Sequence, residues 1–216
     1  MSLPRRFVRR LVAVAAVPML LTACFTGERP QFAVTPIGGN PGSPTGNAAA
    51  DAVLALLEGD PVVPLTATYE VTRNMGPVTT PAVVAEDGTR RSVTIGRVRY
   101  LQLGSIQTCD LDAGTCASGL VDERVSDTGV TNGFDASVPA RRLRIAVARA
   151  TGEITGSHEE IAGQDATCVT VPQGSGSELY CALPVGVIGR WLAGDVTIQL
   201  TSLSDTVDDA AFSTVD

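Results

Sequence analysis

The sequence predicts an α+β domain, in which a long antiparallel meander of strands is combined with two or three helices. Residues 65–72 alternate apolar and polar side chains, which is the period of a half-buried strand. Residues 48–58 instead favour helix throughout, with Asn47 placed to cap the first turn and Gly59 placed to end the last. Because short glycine-rich turns separate the later strand candidates, we expect neighbouring strands to run antiparallel.

The other strands are predicted from the same alternation and from the turns between them. The sequence Glu86-Asp87-Gly88, for example, is typical of a hairpin turn. The strand candidates that follow the first are residues 78–85, 91–103, 105–109, 120–125, 153–161, 165–171, 178–183 and 195–203.

The stretch 131–152 fits either a strand or a helix. Residues 143–147 alternate as a strand would, whereas Ser137 as a cap and Gly152 past the end favour a helix. We predict a helix over residues 138–150.

The N-terminal residues have the order of an export signal: a basic start, a short apolar run and small residues at the cleavage point. Four arginines precede the apolar run 11–21, which is about half the ~20 residues that a membrane-spanning helix needs. The sequence Leu21-Thr22-Ala23-Cys24 resembles the lipobox of bacterial lipoproteins. This resemblance implies that residues 1–23 are a signal peptide and that Cys24 becomes a lipidated N-terminus. An ordinary secretory signal is the alternative, and Sec or twin-arginine export stays open.

A lipidated Cys24 would hold the protein on the extracytoplasmic face of the bacterial cell membrane, since each buried methylene contributes about 0.8 kcal/mol. Residues 24–46 are rich in glycine and proline and lack hydrophobic periodicity, so we expect a flexible tether there. The folded domain is then expected over residues 47–216.

Charge and composition exclude several kinds of partner and chemistry. The chain has 16 basic and 23 acidic residues, and an acidic protein repels nucleic acid, so we expect no nucleic-acid partner. Every basic side chain is an arginine, which excludes lysine Schiff bases and lysine-dependent phosphate loops. His158 is the one histidine, and with Glu159 and Glu160 it fits a solvated strand edge better than a catalytic or metal site. We therefore expect no enzyme activity and no cofactor.

Four cysteines remain after Cys24, and an even number in an exported protein indicates two disulfides. Of the three possible pairings we predict Cys109–Cys116 and Cys168–Cys181, because each pair brackets a turn-forming stretch. Zinc binding is the alternative, but these spacings lack the close cysteine pairs of a structural zinc site.

Several stretches in the last third of the chain carry a family resemblance. They are residues 161–168 (Ile-Ala-Gly-Gln-Asp-Ala-Thr-Cys), Tyr180-Cys181, residues 186–190, residues 196–205, Asp208 and Phe212. Together they resemble exported lipoproteins of the LolA/LolB-like superfamily, of the LppX/LprG type. The resemblance implies a strongly curved antiparallel sheet, a half-barrel, with helices covering a concave face that holds acyl chains. The two cysteine pairs and the short first helix depart from that pattern.

We therefore expect a membrane-anchored lipoprotein that binds or carries acyl lipid in an apolar cavity. The cavity would lie between the sheet and the two alanine-rich helices. Its predicted lining residues are Leu65, Ala67, Tyr69, Val93, Ile95 and Ile198. The alternative is a non-enzymatic interaction or structural protein of the envelope that has the same fold without cargo. A large apolar cavity would favour the first hypothesis, and an interior filled by side chains would favour the second.

The lipobox predicts that the protein incorporates labelled palmitate and fractionates with membranes. Cys24→Ala should abolish both, because it removes the thiol that accepts the diacylglycerol. Metabolic labelling followed by membrane fractionation measures this. A Cys24→Ala protein that kept its label and stayed with the membranes would contradict the prediction.

Overall fold

The computed structural model describes residues 37–121, 124–174 and 176–214, so the expected signal peptide, Cys24 and the first part of the tether lie outside the described residues. The helices are α1 (Ala48–Leu57), α2 (Val125–Thr128), α3 (Ser137–Ala148) and a short 3-10 helix, Asp209–Phe212. The strands are β1 (Leu65–Arg73), β2 (Val78–Glu86), β3 (Arg91–Ile95), β4 (Val98–Gln102), β5 (Ile106–Asp110), β6 (Thr115–Ser118), β7 (Thr155–Ile161), β8 (Gln164–Gln173), β9 (Gly176–Ala182), β10 (Ile188–Leu192) and β11 (Val196–Ser204).

All 11 strands form one antiparallel sheet in the order β6-β5-β4-β3-β2-β1-β11-β10-β9-β8-β7. The chain first builds one meander, β1 to β6, and then a second, β7 to β11. The two meanders are joined where β1 pairs with β11. The sheet is not closed, and β6 and β7 are its edges. These features confirm the predicted α+β fold, a half-barrel of antiparallel strands.

The strand register divides the side chains between a concave and a convex face. One concave row crosses four strands, because each of its members is paired with the next: Tyr180, Trp191, Ile198 and Val71. All four side chains are buried. The row is part of a single core that also includes residues of α1 and α3.

Helix α1 confirms its prediction, including the cap. The Asn47 side chain accepts a hydrogen bond from Ala50 N at 3.0 Å, and the buried face of the helix contains Val53, Leu54 and Leu57. The helix contacts β7, β8 and β9, and it also contacts α3. This side of the concave face is therefore covered by the helix pair.

Helix α3 confirms the helical interpretation of residues 138–150, but Ser137 is not its cap. The helix begins at Ser137 itself, after Ala136, and the Ser137 hydroxyl donates to Gly133 O at 3.4 Å. Val138 N also donates to Gly133 O, at 3.0 Å. The Gly133 carbonyl therefore supplies an acceptor that a capping side chain would otherwise supply to the first turn.

The predicted strand 91–103 is in fact two strands, β3 and β4. Gly96 lies between them with φ +56°, a conformation that suits glycine and reverses the chain. Gly96 N donates to Pro81 O at 2.9 Å, which holds the turn against β2. The inward positions change phase across the turn, from Val93 and Ile95 in β3 to Val98 and Tyr100 in β4.

The described residues of the predicted strand 120–125 do not form a strand, and the strand lies earlier, at β6. After Gly119, with φ +85°, the chain leaves the sheet, and Val121 N donates to the Thr108 side chain at 3.1 Å. Strand β10 was not predicted. Its five residues include Gly189, so they show no clear alternation.

The described end of the predicted tether, residues 37–46, lies against the helices. Gly42 N donates to Glu58 Oε2 at 2.7 Å, and Thr45 donates to Asp51 through both its backbone nitrogen and its hydroxyl. Glycine at position 38 has φ +93°, and a Cβ there would lie 2.7 Å from the backbone of Arg144. The backbone of residues 37–46 therefore passes so close to α3 that only a glycine fits at position 38.

Both predicted disulfides are confirmed, Cys109–Cys116 between β5 and β6 and Cys168–Cys181 between β8 and β9. In each bond the two cysteines face each other directly across neighbouring strands. Two disulfides fit an extracytoplasmic protein. Among the described residues, no helix is both long enough and apolar enough to cross a membrane.

The C-terminal residues 205–214 form a strap on the convex face. Thr66 Oγ1 donates to Thr206 O at 2.7 Å, and Arg99 Nη1 donates to Ser213 O at 2.9 Å. The strap buries Phe212, whose ring lies 4.1 Å from the Arg90 guanidinium carbon. The neighbouring convex row of β2, β3 and β4 is also buried and consists of Ala85, Ser92 and Leu101.

The strap predicts that Phe212→Ala lowers the free energy of unfolding by about 3 kcal/mol, because it removes a buried ring. Urea unfolding of the full chain measures this. Met75→Ala is the control, since the Met75 side chain is 85% exposed and its loss should change stability by less than about 0.5 kcal/mol. Equal unfolding midpoints for Phe212→Ala and the wild type would show that the strap adds nothing.

Candidate functional site

The concave face of the half-barrel is the candidate site, and the structure brings all six predicted lining residues together there. Register places Ala67 beside Val93 through β2, and Tyr69 beside Ile95 through the same strand. The six residues are no more than 2% exposed and belong to one core: Leu65, Ala67, Tyr69, Val93, Ile95 and Ile198.

Aromatic side chains fill the space above this face. Phe134, from the segment between α2 and α3, places its ring edge-on to Tyr69, with the ring centroids 5.1 Å apart. On the other meander, Tyr180 stacks against Trp191 at 5.9 Å. None of these rings is more than 2% exposed. Trp191 is therefore a core residue.

A cleft near the end of β4 is far too small for an acyl chain. Its volume is about 10 Å³, roughly the space of one water molecule, whereas drug-sized ligands occupy about 300–1,000 Å³. The cleft is lined by Arg91, Val93, Tyr100, Leu101, Gln102, Ile106 and Asn132. The side chains of the described concave face are instead buried against one another in a single core. This was the observation expected for the hypothesis without cargo.

An ion-pair cluster holds the Phe134 segment in place. Arg91 donates from Nη1 to Glu86 at 2.5 Å and from Nη2 to Asp135 at 2.7 Å. Asp135 is 1% exposed, and its backbone carbonyl accepts from Ile188 N at 2.6 Å. The segment is therefore tied to both meanders at once.

The same cluster affects Tyr69, whose pKa is raised well above its ordinary value by burial, with a smaller contribution from the Asp135 charge. The Tyr69 hydroxyl has no hydrogen-bond partner among the described residues. Its phenol therefore stays neutral and acts as a packing group. The alternation in the sequence indicated that Tyr69 faces the core, but nothing in the sequence indicated Phe134, because an isolated aromatic in a glycine-containing loop carries no periodic signal.

A second, largely buried ion pair is part of a group that we call the clasp, which consists of Ser43, Glu58 and Arg144. Arg144 donates to both carboxylate oxygens of Glu58, from Nε and from Nη2, each at 2.6 Å. Its Nη1 donates to Ser43 O at 2.7 Å. The side chains of Arg144 and Glu58 are only 5% and 13% exposed. The clasp therefore joins the end of α1, the middle of α3 and the segment that precedes α1.

The titratable group around His158 does not form a site. The His158 ring lies 3.8 Å from Asp165, with both side chains exposed, and Glu159 pairs with Arg190 at 2.6 Å. Glu159 also lies near the sulfurs of Cys168 and Cys181, but those sulfurs are bonded to each other. The disulfide leaves no thiolate there for a metal ion.

Comparison with known proteins identifies the fold and no more. No protein-family description matches the chain, and no curated protein sequence matches it. Its fold is similar to MucB, with a TM-score of 0.50 and 16% identity over 78% of this chain and 63% of MucB. The MucA/MucB complex of Pseudomonas aeruginosa gives 0.49 and 16%, covering 76% of this chain and 60% of that one. An uncharacterized conserved protein of Thermus thermophilus gives 0.41 and 8%, covering 76% and 92%.

The likeness to MucB supports the half-barrel fold that the sequence resemblance implied. This chain spans less than two thirds of the length of MucB. The shared part is the half-barrel, so the likeness carries no statement about what the site binds.

The clasp predicts a stability that depends on pH. Glu58→Gln should lower the free energy of unfolding by about 3 kcal/mol at neutral pH, because it leaves Arg144 buried without a charged partner. Hydrogen bonds from Arg144 hold the pKa of Glu58 below its ordinary value of 4.5. The contribution of Glu58 is therefore complete above pH 4.5 and is lost as the pH falls through the lowered pKa.

Urea unfolding at a series of pH values measures the difference between the wild type and Glu58→Gln, which should shrink in acid. Arg142→Gln is the matched control on the same helix, because its ion pair with Asp195 is about half exposed. That change should alter stability by less than about 0.5 kcal/mol. If the difference in free energy of unfolding between the wild type and Glu58→Gln stayed constant into strong acid, the clasp would be ruled out as its source.

Proposed function

We propose that the protein is a lipid-anchored, non-enzymatic interaction protein of the bacterial cell envelope that works without a resident acyl cargo. The filled interior carries this proposal. Where a lipid carrier needs a chain-sized apolar cavity, the described concave face has aromatic and aliphatic side chains packed to near-zero exposure.

The proposed lipid anchor is supported by the lipobox at Cys24 and by the small number of residues between Cys24 and the described chain. Residue 37, where the described chain begins, comes thirteen positions after Cys24. At about 3.4 Å per extended residue, this stretch reaches at most about 45 Å. An anchor at Cys24 would thus hold the half-barrel within that distance of the membrane surface.

The absence of enzyme activity is supported by how the charged side chains are used. The two most deeply placed carboxylates described above, Asp135 and Glu58, are each paired with an arginine. His158 lies on the surface, where its ring is near Asp165. These groups stabilise segments of the fold, and none of them is paired as a nucleophile with a base.

Acyl-lipid carriage is the second candidate, and the apolar concave face under α1 and α3 is the observation that favours it. Alanines make part of the helix surface against the core, including Ala50, Ala140 and Ala146. Helices with such small side chains could be displaced more cheaply than helices with large ones. Carriage would then require the Phe134 segment or the clasped helices to move away from the sheet.

The two functions are distinguished by native mass spectrometry of the full chain purified from membranes. The proposal expects the polypeptide and its N-terminal modification to account for the mass. Cys24→Ala, which is expected to leave the membrane fraction and is purified from the remaining extract, should have the mass of the polypeptide alone. One released acyl lipid per Cys24→Ala chain would overturn the proposal in favour of carriage.

Ala67→Trp gives an independent measurement of the same question. A tryptophan at this fully buried position has no space in a filled interior, so it should lower the free energy of unfolding by about 3 kcal/mol. In a carrier, the same side chain would occupy the cavity and reduce lipid binding while leaving stability nearly unchanged. Thermal unfolding with and without long-chain fatty acids measures both effects.

A further inference from the structure

Strand β7 ends the sheet and leaves one side of its backbone unpaired. Its seven residues pair with β8 on one side, and no other strand within residues 37–121, 124–174 and 176–214 lies on the other. The opposite edge, β6, has only four residues. An edge strand with open backbone groups is a template for another extended chain.

The Cys168–Cys181 disulfide shows which backbone groups of β7 point outward. The Cα atoms of this pair are 4.0 Å apart, which is the close spacing of a non-hydrogen-bonded pair. The backbone N–H and C=O of Cys168 therefore point away from β9 and toward β7, where the partner residue is Ser157. The direction of the backbone groups alternates along a strand. The N–H and C=O groups of Gly156, His158 and Glu160 therefore point away from β8, toward the open edge of the sheet.

These three residues are accessible. Gly156, His158 and Glu160 are all exposed, and among the described residues nothing hydrogen-bonds to their backbone groups. Helix α1 approaches β7 only from the concave side, where a Cβ on Gly156 would lie 3.0 Å from Ala49 Cβ. The outer edge itself is left open by the described part of the chain.

The charges along this edge select the kind of strand that can pair with it. Glu160 and Asp165 are exposed, the His158 ring lies 3.8 Å from Asp165, and Arg190 is already paired with Glu159. Two acidic edges repel each other, and the chain as a whole has a net charge of −7, so pairing between two copies is disfavoured. A basic strand is attracted electrostatically by this edge, whereas an acidic or identical strand is repelled by it.

We propose that β7 binds an extended, arginine- or lysine-rich segment of a partner protein, which adds to the sheet as a twelfth strand. The proposal rests on the proposed function as an interaction protein and names the class of its partner. Main-chain hydrogen bonds to Gly156, His158 and Glu160 supply the affinity, and the acidic edge supplies the preference for basic segments.

A short peptide of alternating arginine and valine, blocked at both ends and about as long as β7, is the probe, used with the full chain in detergent micelles. Binding should protect the backbone amides of Gly156, His158 and Glu160 from hydrogen exchange. His158→Pro removes one outward N–H at a position where an edge strand tolerates proline, and it should weaken binding at least about tenfold. His158→Ala is the matched control, because it keeps the N–H and should bind as the wild type does.

Charge is tested separately. Glu160→Gln should weaken binding severalfold at low salt and have little effect at high salt, and a peptide of alternating glutamate and valine should not bind. Methylating alternate nitrogens of the basic peptide gives a test on the unchanged protein. Methylation on the set that faces β7 should abolish binding, and methylation on the other set should not.

Binding that survives His158→Pro and both methylation patterns, or protection outside β7, would overturn the proposal while leaving the proposed function in place. Absence of peptide binding would also overturn it. Protection of the three amides before peptide is added would show that another part of this chain occupies the edge, with the same consequence. If peptide binding fails and one acyl lipid per chain is found, the proposed function fails as well.

Discussion

The pairing of β1 with β11 is the contact on which the rest of the structure depends. It brings together strands more than 120 residues apart, as in the hydrogen bond from Thr201 Oγ1 to Thr68 O, and it joins the two meanders into one sheet. Each meander alone would have an uncovered apolar face and one more open edge. Contacts between residues so far apart cost loop-closure entropy, and they offset that cost only when both meanders are formed. The strap and the Asp135 segment reinforce the pairing because each of them connects elements from both ends of the chain.

The same pairing determines how the interior is filled. It aligns the inward residues of β1 and β11, so that Val71 is paired with Ile198 and Tyr69 with Leu200. The space above this part of the curved sheet is filled by aromatic rings. Phe134 enters that space from one side, and the Arg91–Asp135 pair fixes its position. Helices α1 and α3 close the other side and are held by the clasp. Two largely buried ion pairs thus specify where the covering segments lie, while apolar burial supplies the stability.

Local patterns in the sequence predicted the parts of the fold that depend on neighbouring residues. The cap at Asn47, the alternation in β1 and the two disulfides across their turns all depend on residues close together in the chain. The features that could not be predicted depend on distant contacts. Arg144 and Glu58 are 86 residues apart, and nothing near either one indicates that it is buried. The six predicted lining residues all lie in the core, because the alternation that selected them is local. Whether they line a cavity depends on Phe134, whose position comes from tertiary structure.

Filled packing has an energetic consequence for the choice between interaction and carriage. An acyl chain gains about 0.8 kcal/mol for each methylene that it buries. In a preformed cavity that gain is kept, but here the chain would have to displace side chains that are already buried, and each exposed Phe or Leu costs about 1.5–3 kcal/mol. Removing Phe134 and opening the clasp would also leave Asp135 or Arg144 without its partner. The exchange replaces one set of buried apolar groups by another and adds the cost of separated charges, so its net driving force is small. A partner at the β7 edge meets none of these costs, because its backbone groups exchange hydrogen bonds with water alone.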